Sequence, residues 1–306
     1  MNNQKNKKKQ KFRWSDAYIY LIPWLIGILV FRLYPFIEAF RISLFDIRIG
    51  RPERFVGFEN FERILFGTSQ TGIIFRESLF RTFRYVLMTV PLVLVVALFV
   101  AFILNFKIKG IGFFRTAFYI PSILGGSVSI ALLWRQVFGN QGLINSFIGI
   151  FGLNPIHWMT TPTGNLSLLV MSLLRAWQFG SVMLIFLSAL QNVPTSLYEA
   201  ASIDGAKKWR QFFSVTIPII TPTILFNTIQ LLVAAFQEFN AAFLVFAQPG
   251  GPNNTALLMN VFIYNRAFEM NEFGIAGAAS WIMFLCIMVL TLIVFKFSDK
   301  YVFYND

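Results

Sequence analysis

Strongly apolar segments alternate with short polar segments along nearly the whole chain. An α-helix needs about 20 mostly apolar residues to cross a bilayer, and six segments reach that length. They are residues 17–39, 85–105, 116–137, 166–190, 222–246 and 274–295. The pattern predicts an all-α integral membrane protein. Six transmembrane helices would form one domain, residues 17–306, behind a basic tail of residues 1–16.

The third apolar segment contains Pro121 and the neighbouring glycines Gly125 and Gly126. In membrane helices such residues usually mark a kink or a place where two helices approach closely. We therefore expect one kinked helix in this segment and no break.

Lys and Arg residues indicate the orientation, because cytoplasmic segments carry an excess of them. The tail holds six, the segments 107–115 and 207–210 hold three each, and the segment 139–165 holds none. The segment 41–84 is an exception with eight, interleaved with acidic residues. The balance predicts that both termini are cytoplasmic.

The composition agrees with this picture. Hydrophobic residues make up 56% of the chain and charged residues 13%, against about 25% charged in soluble domains. The net charge of +12 is concentrated at the cytoplasmic ends of the predicted helices, where anionic lipid attracts it, so we expect no nucleic-acid binding. One cysteine, Cys286, and one histidine, His157, leave no material for a disulfide framework, a thiolate metal site or a Ser-His-Asp triad. We expect no catalytic residue, metal or cofactor on this chain.

The first predicted external loop, residues 41–84, contains apolar residues at helical spacing, from Phe58 through Phe61 to Ile64 and Leu65. This spacing indicates an amphipathic helix. It could lie on the outer membrane surface or pack on the helix bundle, and the sequence does not choose between the two. The third external loop, residues 248–273, opens with QPGGPNNT, which is typical of turns.

Ionisable residues inside membrane segments are costly and therefore candidates for function. Arg32, Arg175 and Glu238 lie at similar depth in the outer half of their segments, while Glu38 and Arg135 lie near segment ends. Our hypothesis is that the first three surround one cavity and that Arg175 contacts Glu238.

The fifth apolar segment is the most polar of the six. Its polar and small residues recur at steps of three or four, which places them on one helical face. They could line a transport pathway, or they could hold helices together, as amides and small residues often do in membranes. With three residues of the fourth segment included, the candidate pathway residues are Arg175, Trp177, Gln178, Asn227, Gln230, Gln237 and Glu238.

The segment 191–218 is the longest polar interruption in the second half of the chain. Ser196 and Glu199 have the spacing of a capping box, which starts a short helix, and Gly205 can end it. A second helix is predicted over residues 206–216, carrying Lys207 and Lys208. The charge balance places this helix–glycine–helix segment in the cytoplasm.

This segment resembles the EAA loop of the permease subunits of binding-protein-dependent ABC importers. The resemblance rests on the run of Glu199, Ala200 and Ala201, on Gly205 after three intervening residues, and on Val-Thr-Ile-Pro at residues 215–218. Val215 and Ile217 are mild departures from the isoleucine and leucine of the family pattern. Asp204, the GGP-x-x-T pattern of residues 250–255 and Ile-Pro-Trp at residues 22–24 are similar to the sugar-importing branch.

The resemblance implies the fold and partners of these importers. The fold is the six-helix bundle of a type I ABC importer permease in the bacterial plasma membrane. The partners are a second, similar permease, an extracellular sugar-binding protein, and a cytoplasmic ATPase dimer that binds ATP and Mg²⁺. The segment would be the coupling helix that docks into the ATPase. The expected coupling residues are Ser196, Glu199, Ala200, Ala201, Asp204, Gly205, Lys207 and Lys208.

The chain contains no G-x-x-x-x-G-K-[ST] phosphate-binding motif, so ATP-driven transport needs a separate ATPase. The alternative is a secondary transporter or a channel for a small polar solute, which would need no ATPase. An intramembrane hydrolase would need a nucleophile with a base, or metal ligands, at membrane depth, and the one histidine, His157, lies in a predicted loop.

The expected cargo is a carbohydrate, with an oligosaccharide favoured by the many aromatic residues.

Overall fold

The computed structural model describes residues 14–106, 109–160, 164–246 and 248–301. Residues 1–13 of the predicted basic tail lie outside the described residues. So do Lys107, in a predicted internal segment, and residues 302–306 at the C-terminal end.

The described chain is almost entirely helical. The α-helices are α1 (Trp14–Ile28), α2 (Tyr34–Ser43), α3 (Glu59–Leu65), α4 (Gln70–Leu104), α5 (Ile111–Leu124), α6 (Val128–Val137), α7 (Leu143–Ile150), α8 (Asn165–Trp177), α9 (Gly180–Gln191), α10 (Thr195–Ile203), α11 (Lys208–Gln211), α12 (Ile217–Ile219), α13 (Thr221–Phe236), α14 (Asn240–Leu244), α15 (Met259–Tyr264) and α16 (Phe273–Tyr301). The segments Leu29–Leu33, Phe212–Thr216 and Asn265–Glu269 are π-helical, and Pro252–Asn254 is a 3₁₀ turn. The strands β1 (Phe45–Asp46) and β2 (Arg54–Phe55) form a short antiparallel hairpin, with Phe45 opposite Phe55.

Helices occupy the positions of all six predicted membrane segments, but only three of the segments are continuous. Tyr20–Ser43, Gln70–Leu104 and Phe273–Ser298 are each long and apolar enough to span a membrane. Three bent helix pairs meet the same criterion together: α5 with α6, α8 with α9, and Lys208–Ile219 with Thr221–Leu244. Counting each bent pair once gives up to six spans.

The expectation of a single kinked helix in the third segment is wrong. The axes of α5 and α6 differ by 101°, and α6 begins anew at an N-cap of its own, where the Ser127 hydroxyl accepts a hydrogen bond from the Ile130 N–H at 3.4 Å. Two adjacent glycines followed by a good N-cap residue favour a restart over a continuous helix. The close approach that glycine permits is also present, because Gly125 lies against Gln178.

Helix α4 forms the centre of the molecule. It packs against α8, α9, α13 and α15, and small residues such as Ala97 and Ala101 are fully buried along it. Small side chains let helix backbones approach closely, which is the main source of attraction between helices in a membrane. Its 35 residues are more than about 20 needed to cross a bilayer, so α4 also supports the loops outside the membrane.

The helix predicted in the segment 41–84 packs on the bundle. In α3, Ile64 is fully buried, and the Asn60 amide donates to the carbonyls of Ser43 and Phe45 at 2.9 and 3.0 Å. The Arg76 guanidinium donates to the Gly67 carbonyl at 3.0 Å. These contacts decide between the two alternatives in favour of a packed helix.

The excess of basic residues in the same segment has a structural explanation. Glu272 accepts a hydrogen bond from Arg266 at 3.0 Å and lies 3.7 Å from Arg48 and 4.0 Å from Arg63. The arginines therefore tie the loop between α2 and α4 to the start of α16.

The segment 248–273 is more ordered than a turn-rich external loop. It contains α15, whose first N–H, from Met259, donates to the Thr82 hydroxyl at 3.0 Å. Phe262 packs edge-on against Phe75 at 5.6 Å. Both aromatic rings are buried, so this loop folds back into the bundle beside α4.

Candidate functional site

The segment resembling a coupling loop forms a short helix with a glycine corner, as its spacing predicted. Gly205 has φ +73°, a left-handed conformation that glycine adopts at little cost. Its N–H donates to the Ser202 carbonyl at 3.0 Å, and the Ala206 N–H donates to the Ala201 carbonyl at 2.9 Å. This pair of bonds is a Schellman motif, which satisfies the last carbonyls of α10.

The predicted capping box is not formed. Helix α10 begins at Thr195 with Pro194 as its N-cap, and no side chain caps it. Ser196 is therefore the second residue of the helix, too far along to act as the cap for Glu199. Proline precedes the helix because its extended backbone, with ψ 128°, sets the entry direction.

The second helix of the loop is shorter than predicted and less regular. Residues 206–216 were expected to form one helix, but α11 covers only Lys208–Gln211 and continues as a π-helical turn over Phe212–Thr216. Prolines on the C-terminal side, at residues 218 and 222, remove backbone donors and favour such irregular turns.

Two contacts fix the angle between α10 and the helix that follows. The Tyr198 and Thr216 hydroxyls are 2.7 Å apart. The Gln211 amide donates to the Ser202 hydroxyl and to the Ala206 carbonyl, both at 2.9 Å. Sequence reasoning missed these residues, since hydroxyls and amides at loop positions carry no distinctive spacing. These hydrogen bonds join α10 to the helical segment that follows it.

The surface of this loop exposes both polar and apolar side chains. Ser196, Glu199, Ala200, Asp204, Gly205, Lys207 and Lys208 are exposed, and Ala201 is half-buried. Ile203 and Trp209 are also exposed, at 88% and 70%, and Trp209 stacks on Phe213 at 6.3 Å. Exposed apolar side chains rimmed by charges are typical of a surface that binds another protein.

A cavity of about 150 Å³ lies beside three helix breaks, namely those between α5 and α6, between α8 and α9, and between α13 and α14. Gly125 and Gly126 come from the break between α5 and α6, Gln178 from the break between α8 and α9, and Glu238 from the break before α14. Helix breaks expose backbone groups that must be satisfied, and in membrane proteins they are found where they line a cavity.

Arg175 and Gln178 are held in this cavity by short-range contacts. The Arg175 guanidinium donates to Gln178 Oε1 at 3.2 Å, and the Gln178 amide donates to the Gly125 carbonyl at 3.0 Å. A Cβ atom on Gly125 would lie 2.2 Å from Gln178 Cδ. Glycine at this position is therefore what allows Gln178 to reach the break in the neighbouring helix.

The predicted contact between Arg175 and Glu238 is wrong as a direct ion pair. Both residues line the cavity, but among the salt bridges of the described residues none joins them. Glu238 Oε1 instead accepts a hydrogen bond from the Ala241 N–H at 3.0 Å. Backbone N–H groups at a helix start attract carboxylates, and this bond competes with the arginine. Arg32 lies on an exposed π-helical turn outside the cavity lining.

The predicted polar face of the fifth segment is divided by the break. Helix α13 ends at Phe236, so residues before and after that position do not share one face. Asn227 is buried and donates to the Thr223 carbonyl at 3.0 Å, which fits the interpretation of helix packing. Gln230 and Gln237 are exposed, whereas Glu238 lines the cavity.

Two tryptophans lie beside the cavity. Trp177 packs against Trp134 with ring centroids 5.8 Å apart, and Trp134 Nε1 donates to the Val170 carbonyl at 3.1 Å. Trp177 therefore supports the cavity wall and is not part of the lining.

A scan against protein-family models matches residues 74–302 to "Binding-protein-dependent transport system inner membrane component". The match covers most of the chain and includes both the exposed loop and the cavity. The chain belongs to this family. It is thus a multi-pass membrane transport protein, and the resemblance inferred from its EAA loop is confirmed.

Relatives extend this family assignment over the full length. The chain is 40% identical over 303 residues to "Probable ABC transporter permease protein YesP" of Bacillus subtilis, covering 98% of this chain and 96% of that protein. It is 32% identical to the lactose transport system permease protein LacF of Rhizobium radiobacter, covering 92% and 93% of the two chains. It is 31% identical to the arabinooligosaccharides transport system permease protein AraP of Bacillus subtilis, covering 94% and 90%.

Solved structures confirm the predicted fold of a type I ABC importer permease. A chain of a bacterial alginate ABC transporter, crystallised with an alginate pentasaccharide-bound periplasmic protein, superposes with a TM-score of 0.76 at 20% identity. The match covers 93% of this chain and 94% of that chain. This chain therefore has the same helical architecture as that transporter chain.

Proposed function

We propose that this chain is the membrane-spanning permease subunit of an ATP-driven carbohydrate importer. The observation that carries the proposal is full-length similarity, at 31–32% identity, to permeases named for lactose and arabinooligosaccharide transport. An oligosaccharide is the favoured cargo, as the name of the second relative suggests. The chain itself is not an enzyme in this proposal and binds no cofactor.

The energy reaches the permease through the EAA loop. The exposed surface of α10, including Glu199 and Asp204, docks into a groove of a separate cytoplasmic ATPase that carries ATP and Mg²⁺. Ala200 and Ala201 allow close approach, and Gly205 sets the angle to α11. The hydrogen bonds of Tyr198 and Gln211 support this role, since they join the docked helix to the segment leading into α13.

The chain lies in the bacterial plasma membrane with both termini cytoplasmic, and residues 191–218 form its coupling loop. A second permease completes the transport pathway. Support for this partner comes from the outer faces of α1, α2 and α5, which expose large apolar side chains that lipid or a neighbouring helix must cover. An extracellular binding protein delivers the sugar to the loops that surround α3 and α15.

The cavity at the helix breaks is part of the sugar pathway. Arg175, Gln178 and Glu238 offer donors and acceptors for sugar hydroxyls. Two of the other four pathway candidates, Gln230 and Gln237, are exposed and would face the second permease. The cavity volume of about 150 Å³ is below the range of about 300–1,000 Å³ that is typical of small-molecule pockets. We expect the pathway to widen in another state of the transport cycle.

The proposal is tested by purifying the affinity-tagged chain from its native membrane and identifying the proteins that remain bound. The importer predicts one homologous permease and one ATPase in the purified complex. If the chain were a secondary transporter or a channel, which none of the findings favours, it would purify without an ATPase. That result would overturn the proposal.

A further inference from the structure

Helix α6 connects two other half-helices through consecutive side chains. Trp134 Nε1 donates to the Val170 carbonyl of α8 at 3.1 Å. Arg135 donates through Nε to the Val245 carbonyl at 2.8 Å and through Nη2 to the Leu244 carbonyl at 2.6 Å, and it also donates to the Phe246 carbonyl. We call these bonds of Trp134 and Arg135 the α6 clasp.

Arg135 pairs carbonyl groups at the C-terminal end of α14. Helix α14 has five residues, and the last carbonyls of any helix lack partners within it. Val245 and Phe246 are buried, so leaving their carbonyls unpaired would be costly. The guanidinium is planar with five donors, which lets it bind three carbonyls at once and place its charge at the negative end of α14.

Arg135 has no carboxylate partner among the salt bridges of the described residues. Its charge is balanced by carbonyl dipoles alone, in a segment where an arginine is costly. An arginine that only needed to be neutralised would pair with an acid, as Arg266 does with Glu272. The arrangement instead makes the position of α14 depend on Arg135.

The two helices joined by Arg135 form one wall of the cavity. Ser127, the N-cap of α6, and Ala131 of α6 line it, as do Asn240 and Ala241 of α14. Glu238 binds the start of α14 at the Ala241 N–H, and Arg135 binds its end. A helix this short is not stable alone, so its place depends on these two side chains and on its packing against α6 and α8.

We propose that Arg135 is a positioning residue that locks α14 against α6 and keeps the cavity closed toward the outside. The outward side follows from the topology of the proposed function, in which α6, α8 and α14 are the external halves of their spans. Opening of the importer toward its binding protein then requires the α6 clasp to separate, which moves α14 away from α6 and exposes the cavity wall.

The test measures how fast a cysteine on the cavity wall reacts from outside. In a Cys286→Ala background, Ala241→Cys provides a single thiol in the cavity lining, probed on intact cells with a membrane-impermeant maleimide. Arg135→Gln should raise the labelling rate about fivefold or more, because a fivefold change in an equilibrium corresponds to the loss of about one buried hydrogen bond. Arg135→Lys, which keeps charge and donors but not the planar fork, should give a smaller increase.

The matched control is Arg84→Gln, which removes an exposed arginine that donates to the Asn165 side chain at 3.2 Å. It should leave the labelling rate at its starting value. An unchanged rate in Arg135→Gln, or an equal rise in Arg84→Gln, would overturn the proposal. If Arg135→Gln fails to insert into the membrane, Arg135→Lys decides by the same comparison.

The labelling result is independent of sugar uptake. Loss of the ATPase from the purified wild-type complex would contradict the proposed function but leave the labelling difference between Arg135 and Arg135→Gln intact. A normal complex with no labelling difference would contradict only the role of Arg135.

Discussion

Gly205 is the residue on which the geometry of the proposed coupling loop depends most directly. Its φ of +73° lies in the left-handed region, and a Cβ atom placed there would have no neighbour within 4 Å. The constraint on this position is therefore conformational and not steric. It follows that residues that tolerate the left-handed region should substitute for it better than β-branched residues.

Gly205→Val should weaken association with the ATPase about 5- to 30-fold, because the left-handed conformation costs a β-branched residue about 1–2 kcal/mol and the corner must shift. Gly205→Asn should retain most of the association, since asparagine adopts this conformation readily. The measurement is the amount of ATPase that co-purifies with the chain. Gly112→Ala is the control, because Gly112 also has open space around it but lies in the first turn of α5. Equal association for Gly205→Val and Gly205→Asn would contradict this account of the corner.

Two adjacent glycines at the cavity are expected to differ sharply in their tolerance of a methyl group. In Gly125→Ala the new Cβ would overlap the Gln178 side chain, displacing it from both Arg175 and the Gly125 carbonyl. The Gln178 side chain can move aside but would lose these two hydrogen bonds, each worth about 1 kcal/mol, so the thermal unfolding midpoint in detergent should fall. Gly126→Ala meets nothing within 4 Å and should leave the midpoint where it is. A similar midpoint for the two variants would show that Gln178 does not pack as described.

The residue scale also shows how far local patterns could be predicted. Gly205 followed from its spacing to Glu199 and from the chemistry of glycine. The role of Ser196 did not, because the helix begins two residues earlier, with Pro194 as its N-cap. Arg175 and Glu238 were correctly expected to share a cavity. Their partners were not, since competition between an arginine and a nearby helix start is decided by three-dimensional placement.

At the scale of elements, the helix breaks differ in how far the sequence predicts them. The break in the third segment is marked by Gly125 and Gly126, although its angle of 101° exceeds what glycine alone implies. The second bent pair turns at Gln178, and the further break before α14 falls at Gln237, both in stretches free of proline. The third bent pair turns at Ile220, between Pro218 and Pro222. Apolar length carries no signal for the two breaks without proline, which explains why it predicted continuous spans.

The loop elements outside the membrane are stabilised by Glu272. Glu272→Gln should cost about 3–5 kcal/mol, because it leaves the buried Arg266 without its carboxylate. The expected result is faster cleavage of residues 41–69 by an external protease in intact cells. Glu53→Gln removes an exposed partner of Arg41 at 3.0 Å and should cost only about 0–1 kcal/mol. Equal cleavage in the two variants would indicate that Glu272 does not hold these loops together.

At the scale of the whole molecule, the exposed faces matter more than the core. The segment Tyr20–Ser43 buries none of its most apolar window within the chain, and α5 buries no residue. Composition and segment length were enough to predict a helical membrane bundle. The partner that covers these faces could not be predicted from apolar patterning, because lipid and protein both accept such surfaces.

The central claim is that this chain transports a carbohydrate with energy supplied by a separate ATPase through the EAA loop. The most direct measurement is uptake of labelled lactose and arabinotriose into liposomes holding the purified complex, with the binding protein supplied. The account predicts uptake that requires ATP and is lost in Gly205→Val, while Gly112→Ala transports normally. Uptake that proceeds without ATP, or that Gly205→Val leaves unchanged, would contradict it.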